Sequence, residues 1–237
     1  MRQLAFFVII LVNTNLFGQT EKNIPSIEVV GVSRKMVTPD VAILAIAISN
    51  KDMNFAQTSV GLNDKTKDVA KQIMSAGFRE SDIKTTDYQI RVNRIYRKDS
   101  WIDSGYVASQ NVRVEFKYSK DMVSKILTTF SKSKTAFDLQ FDFKLSDDLK
   151  SKVSDDLIKM AVKDAKDKAK ILSESAGVKL KQVIDINYNG NSSPDFRPYN
   201  EAVSYKARMS DQAEPLSGFT PVEIQLNDSV VMKWEIE

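Results

Sequence analysis

The chain has 237 residues, with 34 Lys and Arg against 31 Asp and Glu, a formal net charge of +3, no Cys and no His. So even a balance supplies no bulk attraction for nucleic acid or anionic lipid. Without Cys or His there are no disulfides, no thiol nucleophile, no Ser-His-Asp or Cys-His catalysis, and none of the commonest zinc ligands.

The chain opens MRQLAFFVIILVNTNLFGQT, with one basic residue, Arg2, then an apolar run from Leu4 to Val12, then small and polar residues. This is the pattern of a secretory signal peptide, because the run falls well short of the roughly 20 apolar residues that a membrane span needs. Residues 1–18 are assigned to the signal, 19–26 to an N-terminal tail and 27–237 to one domain. The expected location is periplasmic or secreted, with no membrane span after cleavage.

The domain begins with a strand over Ile27 to Arg34, in which Gly31 marks a bulge or a close backbone approach. Pro39 can open the next strand, since its missing N–H costs nothing there. Val41 to Ile48 is apolar on both parities and predicts a central strand covered on both faces. A helix follows, with Asp52 as its N-cap, Gly77 as its stop and Phe55, Leu62, Val69, Ile73 and Ala76 turned inward. Two alternating runs come next, residues 85–97 and 106–118, joined by the polar stretch KDSWIDSG. They predict a β-hairpin, with Tyr88, Ile90 and Val92 on one face of its first strand.

A short helix spans SKDMVSKILTTFSKS, and FDLQFDFKL then alternates as a strand with Asp138 and Asp142 pointing away from Phe137, Leu139, Phe141 and Phe143. The longest helix is predicted from Asp147 to Ala176, on a stripe of Leu149, Val153, Leu157, Ala161, Ala165, Ala169, Leu172 and Ala176. QVIDINY is a strand. Residues 189–220 lack periodicity and form a long loop, after which residues 221–237 close the fold as one long strand or two short ones, with Leu226, Val230, Met232 and Trp234 on one parity. The sum is an α+β fold in ββαββαβαββ order, an antiparallel sheet packed by the long helix of the C-terminal half and two shorter helices.

Four stretches carry a resemblance to a known family. They are VVGVSRKMVTPDVAILAIAIS, the first helix with its exit SDIKTTDYQI, the strand GYVASQNVRVEF, and the helix AVKDAKDKAKILSESAGVKL with its Ala-x-x-Asp-Ala-x-x-Lys-Ala pattern. In order and spacing the chain resembles the SIMPL-domain proteins from Ile27 to Ile236. The resemblance implies a bacterial envelope or secreted protein with an α+β fold, large oligomers in some members, and no catalytic residues to carry over.

Candidate chemistry within the residues is thin. The pairs Asp147–Asp148 and Asp155–Asp156 diverge by about 100° on a helix, so neither converges on one substrate atom. NDKTKD lacks the ligand spacing of a calcium loop. Ser109 falls on the outward parity of its strand, and no lysine is singled out as its partner. No cofactor or metal is expected. The mixture RVNRIYRKDSW is the type found at protein contacts, since Trp, Tyr and Arg are enriched at interface hot spots. Arg94, Tyr96, Arg97 and Trp101 of the hairpin tip, with Phe196, Pro198 and Tyr199 of the long loop, are therefore the candidate contact residues. The expected function is a non-enzymatic binding or self-assembling module, a homo-oligomer that also contacts another envelope protein and no nucleic acid. The alternatives are a cofactor-independent enzyme with a carboxylate or Ser/Lys site, and a carrier of small apolar ligands.

Overall fold

The computed structural model describes residues 24–188 and 220–237. Along them run β1 (Ser26–Val37), β2 (Val41–Asp52), α1 (Phe55–Ser75), β3 (Ile83–Arg97), β4 (Ser100–Lys117), α2 (Lys120–Phe130), β5 (Asp138–Lys144), α3 (Asp147–Ala176), β6 (Leu180–Asn187) and β7 (Ile224–Ile236). The order and the all-antiparallel pairing match the sequence reading. The strands divide between two sheets, one ordered β1-β7-β6 and the other β3-β4-β2-β5. The chain crosses from the first sheet to the second at Thr38, Pro39 and Asp40, between β1 and β2.

Each sheet carries helices on one face. Leu44, Ile46 and Ile48 of β2 and Ala108, Val112 and Val114 of β4 pack with Leu62, Val69 and Ile73 of α1 and with Ile126 and Phe130 of α2. Burying a side chain of this size contributes about 1.5–3 kcal/mol, so this cluster dominates the second sheet's stability. On the first sheet, α3 lays Ala161, Ala165 and Ala169 against Val29, Val230, Met232 and Trp234. A third cluster of Val37, Leu145, Val153, Leu157 and Leu226 sits where β1, the end of β5, α3 and β7 meet.

Several local expectations are corrected. Asn54, not Asp52, caps α1: its side chain accepts from the N–H groups of Ala56 and Gln57, while Asp52 Oδ1 accepts from Asn54 N at 2.8 Å. The shift leaves Phe55 exposed, edge-on to Tyr106, and buries Thr58, whose hydroxyl donates to the Asn54 carbonyl at 2.8 Å. On α3, Leu172 is exposed and Ser173 continues the buried row four residues beyond Ala169.

β2 is central, but only the helix-side face is fully covered. On the other face Ile43 is buried and Ala47 is exposed. Its neighbours there are Glu115 on β4 and Lys144 on β5, which ion-pair with each other on either side of β2, while Arg113 also binds Glu115. Their aliphatic stems can shield the small apolar row beneath. Bonds from Lys144 and then Arg113 hold the Glu115 carboxyl below its ordinary value, against the opposing effect of burial.

The hairpin differs most. Its turn consists of Lys98 and Asp99 alone, both at positive φ (49° and 59°), the backbone of a two-residue type I′ turn. Ser100 to Gly105, expected as loop, therefore belong to β4. Two irregularities, between Thr86 and Gln89 and between Val92 and Arg94, break the strict alternation of β3. Of Tyr88, Ile90 and Val92, only Ile90 is drawn towards the core.

Candidate functional site

Two groups of residues stand out, one at the joints of the fold and one at its periphery. The first accounts for the Ala-x-x-Asp-Ala-x-x-Lys-Ala motif of α3. At Gly31, β1 runs so close to α3 that a Cβ would lie 2.1 Å from the Ala161 carbonyl oxygen and 2.7 Å from Ala165 Cβ. Small residues on both sides are what permit the approach. Beside this contact, Asp164 Oδ2 accepts the Val32 N–H at 2.7 Å, Lys168 Nζ donates to the Val30 carbonyl at 3.2 Å, and the two side chains pair at 2.7 Å. Bonds from Lys168 and then from the Val32 N–H keep the Asp164 carboxyl below its ordinary value, against the opposing effect of burial. One helix turn thus satisfies a donor and an acceptor of β1, an edge strand that would otherwise offer them to another chain.

The second joint is Asp40. Its carboxylate accepts from the Ser146 N–H and hydroxyl, both at 2.6 Å, and its carbonyl accepts from Tyr118 N at 2.8 Å. Ser146 is the N-cap of α3 and also accepts from Leu149 N. The crossover between the sheets is therefore tied to the start of the long helix. These residues position elements, and the Ala-x-x-Asp-Ala-x-x-Lys-Ala pattern is a docking device within the chain.

The peripheral group is the outer part of the β3–β4 hairpin. β2 ends at Asp52, opposite Tyr106, whereas β3 and β4 continue to the Lys98–Asp99 turn. From Asn93 to Gly105 the hairpin is thus a two-stranded ribbon projecting beyond the sheet. Its root is fixed by Gly105, at φ 78°, where a Cβ would lie 2.3 Å from the Asp52 carbonyl oxygen and 2.7 Å from Met53 Cα.

The ribbon gathers four of the sequence-predicted contact residues. Tyr96 pairs across the strands with Trp101, ring centroids 5.4 Å apart, and they are 61% and 69% exposed. Arg94 Nε binds Asp103 Oδ1 at 3.0 Å on the same face, and Arg97 sits beside the turn. Ile95 and Ile102, which the sequence reading did not single out, pair on the opposite face and are also exposed. Alternation could have shown that Ile95 and Ile102 share a face, had residues 100–105 been read as strand. Phe196, Pro198 and Tyr199 lie outside the described residues.

Asp147 pairs with Lys150 at the start of α3, and Asp156 pairs with Lys35 at 2.6 Å. One surface depression holds Asp138 with Lys51 and Lys65, and Lys65 Nζ is engaged on the Ser49 carbonyl at 2.8 Å. No helix among the described residues is long and apolar enough to cross a membrane.

These features define an α+β domain with helices locked onto two antiparallel sheets and a projecting aromatic ribbon. The chain belongs to the SIMPL family, described as a protein of unknown function (DUF541), whose model matches residues 27–234. No curated protein matches it.

Proposed function

We propose that this protein is a non-enzymatic contact module of the cell envelope or the exterior, exported by residues 1–18 and working by association with copies of itself and with another envelope protein. The observation that carries the reading is the ribbon. Isolated two-stranded hairpins are marginal in water, and exposed Trp, Tyr and Ile on both faces of one are a cost unless something covers them. The paired Tyr96 and Trp101, flanked by Arg94 and Arg97, have the composition of an interface anchor. An address outside the cytoplasm is supported by the leader pattern of residues 1–18.

Light scattering on the purified protein across a wide concentration range tests the reading. A mass above the monomer that falls in Trp101→Ala is the expected result. A strictly monomeric species at every concentration, unchanged by the substitution, would sink self-association and move weight to the enzyme and carrier alternatives.

A further inference from the structure

The backbone of the ribbon specifies more than an exposed patch. A two-residue turn closes on a hydrogen-bonded pair, here Arg97 with Ser100, and bonded and non-bonded pairs then alternate along the ladder. Ser100, Ile102 and Ser104 accordingly direct their backbone groups towards β3, whereas Trp101 and Asp103 direct theirs to the open side of β4. The Asn93 side chain confirms this phase independently, because its Nδ2 reaches the Ser104 carbonyl from the β3 side at 3.1 Å. β2 stops at Asp52 and Tyr106, so among the described residues no strand lies beside Trp101 and Asp103.

We infer that this open edge is occupied by the same edge of a second copy, in a two-fold antiparallel pairing centred on Ile102. This rests on the self-associating reading above and names the surface it uses. The register is self-complementary. Trp101 of each copy faces Asp103 of the other, and each of these two pairs exchanges both backbone bonds. Ile102 meets Ile102 of the second copy as the central non-bonded pair, the arrangement in which opposed side chains come closest.

Both faces of the resulting four-stranded ribbon are then coherent. One carries a continuous row of isoleucine, Ile95 and Ile102 from each copy. The other sets Tyr96 and Trp101 of one copy beside Asp103 and Arg94 of the second. Shifting the register by one residue would place Ile102 opposite Asp103, on the same face, and lose both rows. The pairing ends where it must, because past Ser104 the second copy's turn meets Asp52 and Met53, which already lie against Gly105.

One other edge strand, β1, provides a contrast. The edge of β1 is sealed by Asp164 and Lys168, but the edge of the ribbon carries no proline, no bulge between Arg94 and Arg97 and, among the described residues, no covering helix. The contact is closed by its symmetry, giving a dimer and not an open chain. Its few residues per copy fall well below the roughly 800 Å² per partner of a standard interface, so the dimer is weak and concentration dependent.

Two variants of the full protein test the pairing. Asp103→Pro removes an N–H that bonds only to the second copy and leaves the ladder to β3 intact, as proline on an edge strand does. It is expected to weaken the dimer at least tenfold in sedimentation equilibrium while the circular dichroism spectrum is unchanged. Ile102→Cys places a single thiol on the two-fold axis of a chain that has no other cysteine. Non-bonded antiparallel partners are about 4.5 Å apart at Cα, inside the range of a disulfide, so mild oxidation is expected to link two chains. Tyr96→Cys, away from the axis, is the control that does not link. A dimer that survives Asp103→Pro and does not crosslink through residue 102 overturns this pairing and leaves self-association standing through another surface. A monomer at all concentrations overturns both.

Discussion

Gly31 has no side chain, and the space where one would begin is filled by the backbone of α3. Because the nearest atom is a carbonyl oxygen of a packed helix, relief requires the helix to move. Gly31→Ala should therefore destabilise the domain by about 2–3 kcal/mol, in the range of core overpacking. Gly177, the C-cap of α3 at φ 69°, has nothing within 4 Å of its missing Cβ. Gly177→Ala should cost only the left-handed backbone penalty of about 1 kcal/mol. Urea midpoints of the two variants measure the difference, and equal losses would refute the account of the close approach. The sequence marked Gly31 as a bulge or a close approach, and the second option is the one realised. Nothing local could choose between them, since Ala161 and Ala165 lie more than a hundred residues away in the chain.

Elements are where periodicity succeeded and where it failed. The ends of α3 were legible because Asp147, Asp148 and Gly177 are local signals. The start of α1 was not, because Asp52 and Asn54 are both competent caps and the length of β2 decided between them. The turn of the β3–β4 hairpin was missed because Lys98 and Asp99 are not the Asn-Gly pair that usually marks two positive-φ residues. Ladder pairing on both sides holds them there. Asp40 shows the same long-range control of an element's end. Burial raises the pKa of its carboxyl, but the Ser146 hydroxyl and N–H outweigh that and leave it below the ordinary 3.8. A folded-state value below the unfolded one gives stability that is present above the unfolded pKa and is lost as pH falls through the folded one. Asp40→Asn should therefore be less stable than the parent near neutral pH, with the gap narrowing as pH falls below the ordinary carboxyl value of 3.8. Chemical denaturation at both pH values tests this, and a gap independent of pH would count against the Asp40–Ser146 link.

For the whole molecule, the question is whether two sheets behave as one body. The cluster of Val37, Leu145, Val153, Leu157 and Leu226 joins them, and Asp40 ties the crossover to α3. Leu157→Ala should cost about 2–5 kcal/mol, as large-to-small changes in packed cores do, and should weaken both layers together. Trp234 is buried under α3 in the first sheet, and Trp101 is exposed on the ribbon of the second. In a Trp101→Phe background, fluorescence therefore reports the first sheet alone, whereas far-ultraviolet circular dichroism reports both. Coincident transitions are expected, and separated ones would show two independently folding layers.

By itself, the sequence determined the order and type of the elements, the inward faces of β4, β5 and β7, and the aromatic and basic character of the hairpin tip. Those are properties of neighbouring residues, fixed by side-chain alternation, helical repeat and local caps. Only the tertiary structure decided which strands pair, that they divide between two sheets, that Asp164 and Lys168 seal an edge, and that β3 and β4 outrun β2 to make a ribbon. Alternation says which side of a strand faces the core but not which strand lies beside it, and that choice is made by contacts between residues far apart in the chain.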